Sequence, residues 1–317
     1  MRRRVESAFP AYLALAAAVG GITWSAILVR WAGVPGTVSA FYRVLIAAAV
    51  LVPWRLASPA HRRQARGPAA SLSRRAVWIA VGGGVFFALD LALWNTAVLQ
   101  TQAALASILG NNTPIFVGIL SWLLLGRRPR ASFWIGLGLS LGGCLLIMSA
   151  SLPVGAGAPG RLSGNLLALA ASLFFAAYLM TTERVRASMD TLTFNALAIL
   201  GSLAALFAMC RVLRLPLGGY PPRTWAALVG LGLVSQLGAY FALVFALGHL
   251  PATVTSVGLL AQVPCTAVLA MLLLDEPLTP VQLAGGVVVL AGIYVVSAFN
   301  PVPSSPRAAM PAAAAGE

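Results

Sequence analysis

Asp90 is the residue of this sequence that most needs a chemical explanation. It lies within the apolar run Ala76–Leu99, and no other acidic residue sits well inside such a run. An ionisable group at the centre of a membrane helix costs about 2.5–3.5 kcal/mol on insertion scales, so it must face a cavity or a partner. Arg43, in the adjacent run Thr37–Trp54, is the natural partner. Both residues lie in the outer halves of their runs, at comparable depth for a rise of about 1.5 Å per residue. Such a pair either fixes helix packing or acts as a gate or proton site whose pairing changes. Trp94, four residues after Asp90, shares its helical face. An offset of 150 residues leads from that face to Gln236 and Tyr240, and an offset of 154 sets Trp24 against Tyr178. Together these side chains would line a cavity with aromatic walls and a few polar groups, suited to an amphipathic solute. Ordinary packing against helices or lipid is the competing fate of each ring.

A second constellation is built around two prolines. Asn111, Asn112 and Pro114 fall in the middle of one apolar run, and Gln262 and Pro264 in the middle of another. Proline removes a backbone donor and frees a carbonyl, which neighbouring amides can satisfy. Helix breaks at matching places in two halves of a chain point to a transport site. A packing kink capped by the amides accounts for the same residues equally well.

The elements that must hold these residues are membrane helices. Of 317 residues, 60% are hydrophobic and 9% charged, far from the quarter charged that a soluble domain carries. Ten runs are long and apolar enough to span a bilayer. They are Ala11–Trp31, Thr37–Trp54, Ala76–Leu99, Ala103–Leu125, Ser132–Ala150, Gly164–Thr182, Thr191–Leu213, Trp225–Leu247, Thr253–Leu274 and Pro280–Phe299. They do not alternate, which disfavours a β-barrel. Every basic residue is Arg, and nearly all lie between the runs, so the net charge of +14 is a topology signal and not a nucleic-acid footprint. With the N-terminus in the cytoplasm, 15 arginines fall inside and 5 outside, with Arg43 within a helix. Both termini are therefore expected on the cytoplasmic side of the cell membrane. Cys144, Cys210 and Cys265 read as small buried hydrophobes, with neither disulfide nor zinc spacing. No cofactor or metal site is implied. The N-terminal Arg2-Arg3-Arg4 with its apolar run is too long for a signal peptide.

The chain reads as two related halves. Leu-Ala-Leu-Ala-Ala at 13–17 recurs at 167–171, Pro114 matches Pro264, and Gly136 and Gly143 match Gly285 and Gly292 at an offset of 149. Each half carries five helices, an odd number, so the second must enter the membrane inverted. The expected organisation is an all-α integral membrane protein: a first repeat over 1–150, a Gly/Pro-rich linker over 151–163, a second repeat over 164–299 and a disordered tail over 300–317.

On these residues the chain resembles the drug/metabolite transporter superfamily, in its ten-helix EamA-like branch. The resemblance is carried by Phe41-Tyr42-Arg43, by Ala106-Ser107-Ile108-Leu109 through Pro114, and by Leu272-Leu273-Leu274-Asp275-Glu276-Pro277-Leu278 followed by Gly285, Gly286 and Gly292. The family's acidic turn after helix 4 is replaced here by Gly126-Arg127-Arg128-Pro129. The resemblance implies a secondary transporter that exports small amino-acid-like or drug-like metabolites, works as a monomer or homodimer in the lipid bilayer, and is not an enzyme. Protons are the candidate coupling ion, with Asp90 as the carboxylate to carry them; a facilitator is the rival. A nucleotide-sugar or sugar-phosphate carrier would want more basic cavity residues than Arg43. A membrane enzyme lacks any nucleophile–base set, and a channel lacks a filter sequence.

Overall fold

In a computed structural model, the described residues are 2–57, 73–100, 109–149, 162–274 and 279–299. Among them are nine helices long and apolar enough to cross a membrane, and a shorter apolar helix, Thr113–Leu124, stands in the remaining place. The chain runs α1 (Arg2–Thr23), α2 (Ser25–Ala32), α3 (Gly36–Ala57), α4 (Arg74–Gln100), α5 (Thr113–Leu125), α6 (Ala131–Ser149), α7 (Leu162–Arg186) and α8 (Thr191–Val212). It continues with α9 (Pro222–Gly230), a π-helical segment (Leu231–Tyr240), α10 (Phe241–Leu247), α11 (Ala252–Gly258), α12 (Gln262–Leu274) and α13 (Pro280–Phe299). All described regular structure is helical. Most of the 151–163 linker, the 300–317 tail, residues 106–108 and the turn 275–278 lie outside the described residues; α7 begins at Leu162, inside the expected linker.

Four expected continuous helices are interrupted. The first breaks at Trp24, just after Thr23 turns its hydroxyl back to the Val19 carbonyl (2.8 Å), a bond that bends helices. The fourth breaks at the Asn111–Asn112 turn, which leaves Pro114 at the start of α5, where a missing N–H costs nothing. The eighth starts at Pro222 and rewinds as a π-helix before α10; the ninth tightens to a 3₁₀ turn at Leu259–Ala261. Cys144 and Cys210 are buried as expected, but Cys265 on α12 is exposed.

Glycines set the closest helix approach. A Cβ on Gly136 would lie 2.6 Å from the Gly292 carbonyl oxygen, and one on Gly143 2.6 Å from that of Gly285. Between them the Ser140 hydroxyl donates to the Val289 carbonyl at 3.3 Å. Ascending numbers on α6 thus meet descending numbers on α13, so the two helices run antiparallel. Small residues let backbones meet closely where lipid supplies no hydrophobic drive. The positions related by the 149-residue offset exchange places across this crossing, an arrangement compatible with an inverted repeat. On the other side of the bundle α4 packs between α7 and α8, and α8 packs on α3. That places Asp90 and Arg43 in the interior.

Candidate substrate site

The site is assembled around Arg43. The side chain is only 1% exposed, carried inward by the face of α3 that packs on α8 and the π-segment. Its Nε donates to Gln236 Oε1 at 2.9 Å and its Nη1 donates to Ser25 Oγ at 2.9 Å. The guanidinium carbon stands 5.0 Å from the centre of the Tyr240 ring, in cation–π reach. Nη2 has no hydrogen-bond partner. Two separate membrane segments, α2 and the π-segment, therefore hold the cation that α3 carries. The break after Trp24 turns Ser25 towards it, and the wider i→i+5 winding of the π-segment stacks Gln236 and Tyr240 on one face. Insertions of this type recur at functional sites.

Asp90 is 8% exposed on α4 and accepts no hydrogen bond among the described residues. The expected direct ion pair with Arg43 is not formed. Among the described residues the one salt bridge within 4.0 Å joins Arg127 to Glu183. The reason is competition for the guanidinium, whose fork is turned to Gln236, Ser25 and Tyr240. Asp90 and Arg43 remain in electrostatic reach of each other without touching.

One turn before Asp90, Phe87 opens an aromatic cluster. Its ring stacks on Tyr178 (4.7 Å between centroids) and tilts against Tyr240 (4.6 Å). Phe175 contacts the same two tyrosines at 6.1 and 6.3 Å. Tyr178 is thus enclosed by rings instead of forming an open wall. Trp24 stands half-buried at the α1–α2 break, and half-buried Trp94 covers Gly110, where an added Cβ would meet its indole Nε1 at 3.2 Å.

The proline constellation divides between its two readings. Gln262 Nε2 donates to Asn111 Oδ1 at 2.9 Å and ties the broken fourth span to the ninth. Asn112 Nδ2 donates to the Leu109 carbonyl at 3.1 Å, a local cap on the break. Pro264 is the third residue of α12, directly after the 3₁₀ turn. Among the described residues no group of three or more His, Cys, Asp or Glu could hold a metal ion.

The geometry is that of polar groups converging from many membrane helices. The family model for EamA-like transporters matches residues 9–149 and again 162–298. The chain belongs to the EamA-like transporter family. It is 28% identical over 208 residues to the uncharacterised transporter YwfM of Bacillus subtilis, covering 65% of this chain and 68% of that one. It is 29% identical over 233 residues to the pseudopaline exporter CntI of Pseudomonas aeruginosa, covering 72% and 77%. A solved crystal structure superposes with a TM-score of 0.70 at 20% identity, over 93% of this chain and 98% of that one, which shows a shared fold. Family membership makes this a multi-pass membrane protein with a small-molecule substrate.

In this EamA-like transporter, sequence reasoning missed Ser25, Phe87 and Phe175 at the centre, and also a polar layer at the end of the bundle where α5 and α7 finish. There Glu183 pairs with Arg127 (3.2 Å) and accepts the Ala252 N–H that opens α11 (3.1 Å). Arg127 of the basic turn Gly126-Arg127-Arg128-Pro129 so finds its countercharge on the other half of the chain. Arg186 donates to the Val244 carbonyl (3.2 Å) and to that of Met189. Arg55 Nε donates to Thr193 Oγ1 (2.8 Å), beside Asp190, which caps α8 through the Thr193 N–H (3.0 Å). Burial raises the Asp190 pKa, but these bonds and the nearby Arg55 and Arg186 outweigh it and hold the carboxyl below its ordinary value. A run of charges at span ends signalled this layer; its pairings depend on which ends meet.

Proposed function

We propose that the chain exports a small metabolite across the cell membrane by alternating access, with both termini in the cytoplasm and the Arg43–Asp90 centre as the place where solute and protons bind. The observation that carries this reading is the hydrogen bond from Arg43 in the first half to Gln236 in the second. A polar centre shared by two halves of a chain is where alternating-access carriers hold their solute. The Asn111–Gln262 bond adds a second link between the halves, at helix breaks in both. Export is supported by the likeness to the pseudopaline exporter, and orientation by the arginine count. In this orientation the Glu183 layer faces the cytoplasm. The two repeats, 1–150 and 164–299, would rock about the α6–α13 crossing.

Proteoliposomes test it. With proton coupling, wild-type protein accumulates solute when a pH gradient is imposed, and Asp90→Asn abolishes accumulation while counterflow exchange continues. Transport indifferent to the gradient, with Asp90→Asn changing only apparent affinity, would make the protein a facilitator. A reporter fused after Pro303 should read out the cytoplasm; a periplasmic signal would make the number of spans odd and remove the inverted-repeat reading.

A further inference from the structure

The turn that joins α5 to α6 carries Arg127, Arg128 and Arg130, and the three guanidiniums are held differently. Arg127 pairs with Glu183 at 3.2 Å. Arg128 and Arg130 meet no carboxylate within 4.0 Å among the described residues. Arg128 lies instead over a ring, its guanidinium carbon 5.4 Å from the centre of Trp122. The backbone puts it there. Gly126 closes α5 in a left-handed conformation (φ 62°), its N–H donating to the Trp122 carbonyl at 3.1 Å while that of Arg127 donates to the Ser121 carbonyl at 3.0 Å. Such a cap reverses the chain and lays Arg128 back over the last turn of the helix. Arg130, two residues on and so within about 7 Å along the backbone, donates through Nη1 to the carbonyl of Phe299, where α13 ends, at 3.2 Å. Trp122 is 48% exposed, and Leu123 and Leu124 beside it are 68% and 70% exposed.

We infer that Arg128, held over Trp122, binds the phosphate of an anionic phospholipid, with Arg130 adding charge from the same turn and the acyl chains running along the exposed Ile119, Leu123 and Leu124 of α5. Tryptophan at the end of a membrane helix marks the depth of the headgroups. A guanidinium over a ring uses its face there and keeps its N–H edge, which matches two phosphate oxygens. The same ring steadies the long side chain, so less freedom is lost when the phosphate arrives. Net charge selects among lipids. Choline and ethanolamine headgroups bring a cation of their own, which a turn with two uncompensated arginines repels. Exposed leucines beside the charge select a lipid over a free anion, since an amphiphile alone satisfies both. The bound lipid ties the end of α5, through Arg128, to the end of α13, through the Phe299 contact of Arg130.

The site concerns the protein's contact with the bilayer and holds whatever solute it carries. Wild-type protein in detergent micelles is titrated with dioleoyl phosphatidylglycerol or dioleoyl phosphatidylcholine, and bound lipid is counted by native mass spectrometry. Phosphatidylglycerol should bind about fivefold more tightly, the worth of one arginine near a membrane surface. Arg128→Gln should remove most of that preference. Trp122→Leu, which keeps every charge, should lower it about twofold to fivefold, the worth of an exposed cation–π contact. Arg74→Gln is the control: Arg74 is exposed at the same end of the bundle and among the described residues has no ring beneath it, so its loss should leave the preference unchanged. Both Arg128 and Trp122 are exposed, so neither change threatens the fold, and the wild-type comparison needs no variant at all. Affinities for the two lipids within about twofold of each other overturn the site. So does an Arg74→Gln loss as large as that of Arg128→Gln, the mark of a diffuse surface charge. Inorganic phosphate that displaces phosphatidylglycerol at equal concentration overturns the lipid as occupant and leaves a free-anion site in its place.

Discussion

Replacing Gln236 by leucine tests whether Arg43 is held as described. In Gln236→Leu the Nε donor loses an acceptor at 2.9 Å, and Nη2 has none already, so only the bond to Ser25 remains on a fully buried cation. A hydrogen bond to a charged group contributes about 1.5–3 kcal/mol, and stranding a buried charge adds to that loss. The expected destabilisation is about 2–3 kcal/mol, and for a chain of this size a fall of roughly 5 °C in melting temperature. In an Arg43→Met background the same change strands nothing, so Gln236→Leu should cost no more than about 0.5 kcal/mol there. Thermal unfolding of the four detergent-purified proteins, followed by tryptophan fluorescence, gives the coupling directly. Equal losses in both backgrounds would refute the bond between the two residues and with it the link between the halves at Arg43.

At the α6–α13 crossing, Gly143→Ala must push against backbone at 2.6 and 2.7 Å that cannot rotate aside, so it should cost about 1–3 kcal/mol. Gly138→Ala, with nothing within 4 Å, should be neutral or stabilising by up to about 1 kcal/mol; equal melting temperatures would deny the close approach. Glu183→Gln and Arg127→Gln should each cost no more than about 1 kcal/mol at low salt, with the double variant no worse than either, and the differences should vanish at about 1 M salt. Asp190 has a lowered pKa, so its contribution is present above the ordinary carboxylate value and is lost as pH falls through the folded one. Wild-type protein should therefore lose more stability than Asp190→Asn on acidification below about pH 4, and parallel pH profiles would count against the cap.

The ten runs and the interior position of Asp90 were legible because insertion energetics act on composition over whole turns, independent of partners. The helix breaks near Asn111 and Gln262 were legible too, since a proline follows each amide within three residues; that the two amides bond to each other was not. The partner of Arg43 was not. Sequence spacing gave its depth along α3 but not the direction of its fork, which Gln236 and Ser25 decide from helices far away in the chain. Ser25 was hidden by a helix break that Trp24 does not announce, and the π-winding of Leu231–Tyr240 has no compositional mark. Cys265 misled because an apolar neighbourhood in sequence means burial in lipid as readily as burial in protein.

The contact of Gly136 with Gly292 and of Gly143 with Gly285 is its own image: shifting each helix by the 149-residue offset returns the same pairs. A surface with that property is isologous and closes on itself. A half-length chain bearing one such helix would find its fitting partner in a second copy inserted the other way up. Joining the copies in one polypeptide turns that encounter into an intramolecular one, no longer dependent on concentration. It also releases the halves from being identical. Asp90 and Tyr240 are 150 residues apart in the sequence, an acid in one half and a phenol in the other, both within electrostatic reach of the same arginine. Two identical copies would have to place the acid, or the phenol, twice; a fused pair can keep one of each.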